Sequence, residues 1–185
     1  MKKHIALVVM LCMTLGAFAG AREIFTNYCD YVDEGDVIVN IGSGLNEHYG
    51  TLGYGNNLSI WIPPVEASVE FTVKLGQLPF GFGGLLGYYG YSRWNGNESW
   101  AHHTIYTAPF VNYHINVPVP NLDIYAGLST GISIGFGNDQ ASPSFSVWPY
   151  IAPHIGATWY FTKGIGINLE SGWPMYLKLA VSIKF

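Results

Sequence analysis

From Met175 to Phe185 apolar and polar residues alternate. Met175, Leu177, Leu179, Val181, Ile183 and Phe185 fall on one face, and Tyr176, Lys178, Ala180, Ser182 and Lys184 on the other. Side chains of a strand point alternately to its two faces, so the pattern predicts a strand running to the last residue. The stretch before it repeats the pattern, with Ile165, Ile167, Leu169 and Trp173 opposed to Gly166, Asn168, Glu170 and Gly172. Pro174 cannot donate to a ladder and marks a turn between the two runs. A turn centred there sets Glu170 opposite Lys178 on the polar face.

Six more strands are predicted upstream. The first, about Asp36 to Leu45, has Val37, Val39, Ile41 and Leu45 on one face. The second, Val65 to Leu75, has Val65, Ala67, Val69, Phe71, Val73 and Leu75 against Glu66, Ser68, Glu70, Thr72 and Lys74. The third runs from Phe80 to Trp94, with Tyr89, Tyr91 and Arg93 on its polar face. The fourth runs from His103 to Val117, with Tyr106, Asn112, His114 and Asn116 on that face. The fifth, Leu122 to Phe136, contributes Asp123, Tyr125, Ser129 and Ser133. The sixth, Phe145 to Phe161, contributes Trp148, Tyr150, His154, Thr158 and Tyr160. Short turns are expected at Gly76–Pro79, Pro118–Asn121 and Thr162–Gly164, and longer loops at Asn46–Pro64, Asn95–His102 and Gly137–Ser144. Eight strands joined by alternating short and long connections are the layout of an antiparallel up-and-down transmembrane β-barrel.

Alternation alone does not say which face is inside, since a soluble sandwich also alternates. Three features favour an apolar exterior. The last strand has about the length of a tilted bilayer-crossing strand, roughly 9–11 residues. It ends in an aromatic residue of the apolar face. And outward aromatics gather at both ends of the predicted barrel: Phe80, Phe82, Trp159, Phe161 and Phe185 at one, Trp94, Phe136 and Trp173 at the other. Two such girdles are expected at the two interfaces of a bilayer.

Composition agrees. Charged residues make up 11% of the 185 residues, against about 25% in an ordinary soluble domain. The N-terminus has the layout of a secretory signal: Met1-Lys2-Lys3, an apolar run Ile5 to Leu15, and a small-x-small site at Ala17-Phe18-Ala19, with cleavage after Ala21 as the rival. Residues 1–19 are therefore expected to be removed, 20–35 to form an acidic lead-in, and 36–185 to form the barrel. Removal of Lys2 and Lys3 leaves six of the eight basic residues against twelve acidic ones, a net charge of −6. That balance argues against a nucleic-acid partner. Cys12 leaves with the signal, and Cys29 alone forms no intrachain disulfide.

The polar face carries Glu66, Glu70, Lys74, Arg93, His114, Asp123, His154, Glu170, Lys178 and Lys184. An eight-stranded barrel has an interior just wide enough for side chains to fill it. A packed, charge-paired lumen is expected, with Gly opposite Tyr on neighbouring strands to seat the inward rings. A narrow pore or a small hydrophobic-ligand conduit is the alternative. No catalytic, cofactor or metal residues are assigned. Gly81 to Gly90 lacks the helix and the Lys-Ser/Thr pair of a phosphate loop. His102 and His103, beside Glu98 and Ser99, point to opposite sides of a strand and lack a third ligand or a triad geometry. A lipid-modifying enzyme is the weakest of the functional readings.

The sequence resembles the small eight-stranded outer-membrane barrels of the OmpA/OmpX type, in particular the outer membrane protein beta-barrel domain group common in Bacteroidetes. The resemblance rests on Pro63-Pro64 leading into a Glu-bearing strand, Tyr113-His114, Leu122-Asp123-Ile124-Tyr125-Ala126-Gly127-Leu128, Pro153-His154-Ile155-Gly156-Ala157-Thr158-Trp159-Tyr160-Phe161, and terminal Lys184-Phe185. It implies integral residence in a bacterial outer membrane among lipid and lipopolysaccharide. It also implies recognition of Phe185 by the barrel-insertion machinery. It is not expected to bring a peptidoglycan-binding domain, and it implies location more firmly than activity. The expected role is a monomeric structural or surface-interaction, adhesion-like barrel. Tyr49, Tyr54 and Trp61 in the first long loop are the candidate contacts with an extracellular ligand.

Overall fold

The computed structural model describes residues 32–46, 58–76, 78–94, 99–139 and 142–185. Eight strands follow one another: β1 Val37–Leu45, β2 Leu58–Leu75, β3 Leu78–Trp94, β4 Ser99–Ile115, β5 Leu122–Asp139, β6 Ser142–Tyr160, β7 Ile165–Ser171 and β8 Leu177–Lys184. Each pairs antiparallel with the next, and β1 pairs with β8, so the sheet closes into a barrel. The chain is the all-β, eight-stranded antiparallel up-and-down barrel that the alternation predicts.

The barrel is polar inside and apolar outside. Along β2, Glu66, Ser68, Glu70 and Thr72 are buried while Val65, Ala67, Val69 and Phe71 are exposed. Along β8, Lys178, Ala180 and Ser182 are buried and Leu177, Leu179 and Val181 exposed. A continuous apolar exterior of this size belongs in hydrocarbon, where the closed ladder meets every strand's hydrogen-bonding needs without water. At the end holding the C-terminus, Phe82, Trp159, Phe161 and Phe185 are exposed, and Phe80 packs edge-on against Tyr113 at 5.4 Å. At the opposite end exposed Phe136 and Phe145 face each other across β5 and β6. The side chain of Trp94 lies outside the description.

The wall is uneven in height. Strands β2 to β6 have 17 to 19 residues, whereas β1, β7 and β8 have 9, 7 and 8. A bilayer crossing takes roughly 9–11 residues, so the long strands rise past the membrane. The register puts the surplus at the end away from the C-terminus: Ser43 of β1 stops at Val65, and Ser171 of β7 stops at Ile155. By the rule that short turns are periplasmic, the raised wall is on the outer side.

This height corrects the predicted loops. β2 starts at Leu58, and Pro63-Pro64 lies within it rather than closing a loop. The ladder to β3 shifts between Ile62 and Val65, a bulge that accommodates two residues unable to donate. β4 starts at Ser99, and β5 and β6 remain paired out to Asp139 and Ser142, through the loop expected at 137–144. The alternation also resets at the last turn. Met175, expected on the apolar face, is buried, and Tyr176, expected inside, is exposed. β8 begins only at Leu177, so the period of two does not apply across the turn. Glu170 does face Lys178.

At the lower end the segment before β1 packs onto the inward face of β1 and β2. Val32, in the expected lead-in, is fully buried against Ile38. The backbone N–H of Gly35 donates to the carbonyl of Thr72 at 2.9 Å, and the Thr72 hydroxyl donates to the carbonyls of Asp33 and Asp36. Within the wall, large inward rings lie over glycines of the neighbouring strand. Tyr106 lies opposite Gly87, Tyr125 opposite Gly156 and Phe110 opposite Gly83. A Cβ on Gly87 would sit 2.1 Å from the Tyr106 ring, and one on Gly156 2.3 Å from the Tyr125 ring. Gly87→Ala and Gly156→Ala are each expected to destabilise the barrel by about 1–3 kcal/mol through overpacking. Urea-dependent folding into lipid vesicles measures this, and an unchanged midpoint in both variants would show that the rings yield freely.

Candidate functional site

Two hydrogen-bonded groups fill the lumen. In the lower one, β4 and β5 set His114 and Asp123 on inward positions, Asp123 two residues along from the Tyr125 that faces His114, and β2 brings Glu70 across. The His114 Nδ1 lies 2.9 Å from Asp123 and its Nε2 2.9 Å from Glu70, a geometry that suits an imidazolium donating to both carboxylates. Asn112 donates to the other Glu70 oxygen at 3.1 Å, and its carbonyl oxygen lies 2.7 Å from the His154 Nε2. In the upper group, Lys178 of β8 bridges two carboxylates, Glu66 at 2.5 Å and Glu170 at 2.7 Å. Tyr106 donates to Glu66, and Tyr125 donates to Glu170 at 2.6 Å. Asn168 in turn donates to the Tyr125 hydroxyl at 2.8 Å.

The two groups meet around a residual void lined by both, including Glu66, Glu70, Asn112, His154, Glu170 and Lys178, with a volume of only about 10 Å³. One water needs roughly 10–15 Å³ measured in this way, so this void has room for about one water.

The predicted luminal residues do not all join this network. Lys74 has the expected phase but is exposed at the lower end of β2. It is corrected to a rim residue because its strand ends at Leu75. Lys184 lies at the same end, 3.2 Å from Asp36 and over the Tyr160 ring. The backbone of Arg93 pairs with Ser59 and Trp100, and its side chain lies outside the description. Phe185 is exposed, its backbone paired with Val37. Tyr49, Tyr54, Cys29 and Glu98 lie outside the described residues, as does the side chain of Trp61, whose backbone pairs with Tyr91. His103 turns outward against Tyr88, whose hydroxyl is 2.7 Å from its Nδ1, whereas His102 turns inward beside Tyr91. The two imidazoles share no ligand.

Above the network the barrel opens into a cavity of about 320 Å³, lined by residues that include His102, Thr104, Ser133, Trp148, Tyr150 and Trp173. Trp173 is corrected here. Its expected place was the outer lipid girdle, yet its ring stands 4.4 Å from that of Tyr150 at the mouth. The low wall at β7 and β8 lets the turn bearing Trp173 reach inward. Asn112, Tyr106, Tyr125 and Asn168 have the inward phase, but their convergence on the acids was not legible, because partners in the network lie up to 112 positions apart.

Lys178→Met would leave Glu66 and Glu170 buried without their shared cation and is expected to cost about 3–5 kcal/mol. Neutralising both acids in the same background as glutamines should recover part of that loss. Equal stability of Lys178→Met and the parent chain in equilibrium refolding would exclude a structural role for the bridge.

The sequence matches no family profile and no curated protein. Its fold resembles that of Ail, the attachment invasion locus protein of Yersinia pestis, solved in complex with the heparin analogue sucrose octasulfate. The TM-score is 0.53 at 9% identity, over 83% of this chain and 100% of that one. A second structure of the same Yersinia pestis protein gives 0.48 at 11% identity, again over 83% and 100%. With its closed ring and apolar belt, the chain is an eight-stranded antiparallel transmembrane β-barrel that shares its fold with Ail.

Proposed function

We propose that this protein is a surface-interaction barrel whose working part is its outer end. The observation that carries this reading is the closed lumen. Among the described residues, ion pairs and hydrogen bonds fill the membrane-level interior, the void between the two groups is about 10 Å³, and Val32 is buried against Ile38 at the lower end. Such a filled interior provides rigidity and leaves no aqueous path, which disfavours the pore or conduit reading. The investment of sequence is instead in the outer wall, where β2 to β6 continue past bilayer height. A rigid barrel with a raised rim is a platform for presenting loops and a mouth to a partner outside the cell. The fold precedent is an attachment protein by name, seen holding a heparin analogue. Phe185, exposed at the end of the strand that closes the ring, is the feature that would engage insertion machinery.

Two measurements test the reading. Refolded chain in planar bilayers is expected to give no discrete conductance steps. Reproducible steps altered by Glu170→Gln would replace it with a pore. Cells displaying the barrel are expected to adhere to host cells or matrix, and shortening 47–57, which carries Tyr49 and Tyr54, should abolish adhesion while the barrel stays heat-modifiable.

A further inference from the structure

The outer mouth has a chemistry distinct from the lumen beneath it. Its cavity, about 320 Å³, lies at the small end of the roughly 300–1,000 Å³ typical of small-molecule sites. Aromatic rings supply its apolar surface: Tyr89, Trp148, Tyr150 and Trp173. Its polar surface comes from neutral groups, the hydroxyls of Thr104, Ser133 and Ser146 and the His102 imidazole. Among the described side chains, no Asp, Glu, Lys or Arg lines it. The Tyr150 hydroxyl oxygen is buried and has no hydrogen-bond partner among the described residues, although a buried phenol normally finds one. Trp148 is 68% exposed beside this cavity, a large apolar surface held where water, not lipid, is the solvent.

We infer that this cavity is a binding site for one or two rings of a neutral saccharide. The inference rests on the surface-interaction reading and names its ligand class. A pyranose has an apolar face of C–H groups and an equatorial belt of hydroxyls. The first matches an indole or phenol face and the second a wall of hydroxyls that both donate and accept. A charged ligand finds no counter-charge among the described side chains of the cavity. The charge of the outer end agrees. Segments 47–57 and 95–98 contain Glu47 and Glu98 and no Lys or Arg. Of the basic residues past the signal, Arg22 lies outside the described residues, Lys74, Lys163 and Lys184 lie at or beyond the lower strand ends, and Lys178 is held inside by two carboxylates. Arg93 is the one basic residue on the described outer half of a strand, too little to hold a polyanion. The ligand class therefore differs from the sulfated analogue seen with the Yersinia pestis barrel.

The test uses the full barrel in nanodiscs, prepared from a detergent without a sugar headgroup. It is applied to an array of neutral, sialylated and sulfated saccharides, with calorimetry on the ligands that bind. Saturable binding of neutral saccharides is expected, weakened about tenfold by Trp148→Ala, a loss equal to roughly 1.4 kcal/mol. Tyr150→Phe, which removes only the hydroxyl, should weaken it less. Both variants must remain heat-modifiable, and the exposure of Trp148 makes its truncation harmless to the barrel. Binding to no neutral saccharide, or only to sulfated or sialylated ones, would overturn the inference. So would neutral-saccharide binding unaffected by either variant. If adhesion through segment 47–57 survives such a result, the surface-interaction reading stands and only the saccharide site falls. If adhesion is absent as well, both fall.

Discussion

A strand edge in hydrocarbon has no water to satisfy it, so the pairing of β1 with β8 is the contact on which the rest of the molecule depends. It is made between two of the shortest strands. Their ladder runs from Ile38 opposite Lys184 to Leu45 opposite Leu177. Backbone pairs between Val37 and Phe185 extend it at the lower end. Once this seam forms, the inward positions at its level, among them Asn40, Lys178 and Ser182, are removed from both water and lipid. The polar face then has to satisfy itself.

That requirement explains the interior. Buried acids without partners would each carry a large desolvation penalty, and here they are gathered by cations and amides. Lys178 stands between Glu66 and Glu170, and His114 between Glu70 and Asp123. Asn112 links these pairs through both atoms of its amide, to Glu70 and to His154, and Asn168 donates to the Tyr125 hydroxyl. Glycine provides the space. Tyr106 and Tyr125 can lie across the lumen and reach their carboxylates only because Gly87 and Gly156 leave the facing wall bare. The plug and the wall are thus one design, in which strand composition on one side matches ring size on the other.

The long strands β2 to β6 carry the ladder above the ends of β1, β7 and β8. There the inward face changes character, from carboxylates and cations to tryptophan, tyrosine and hydroxyls. A rigid lower half and a chemically distinct mouth suit a protein that holds a recognition surface at a fixed height above the membrane.

The sequence by itself determined the strands, their inside-out polarity and the seat of most luminal groups. A period of two is a local property, and the contrast of Glu66 with Val65 or of Lys178 with Leu177 reads directly. The Pro174 turn was enough to set Glu170 against Lys178, because a hairpin register follows from its turn. Only the tertiary structure decided how far the strands continue. The ladder of β2 with β3 runs through Pro63-Pro64 by a bulge, and that of β5 with β6 persists to Asp139, because neighbouring strands supply hydrogen bonds that local propensity does not foresee. It alone joined Glu70 to His114 and Glu66 to Lys178, since closure of the ring brings together residues far apart in the chain. And it alone moved Trp173 from the lipid girdle to the mouth and Met175 to the interior, because alternation fails where the backbone leaves the sheet.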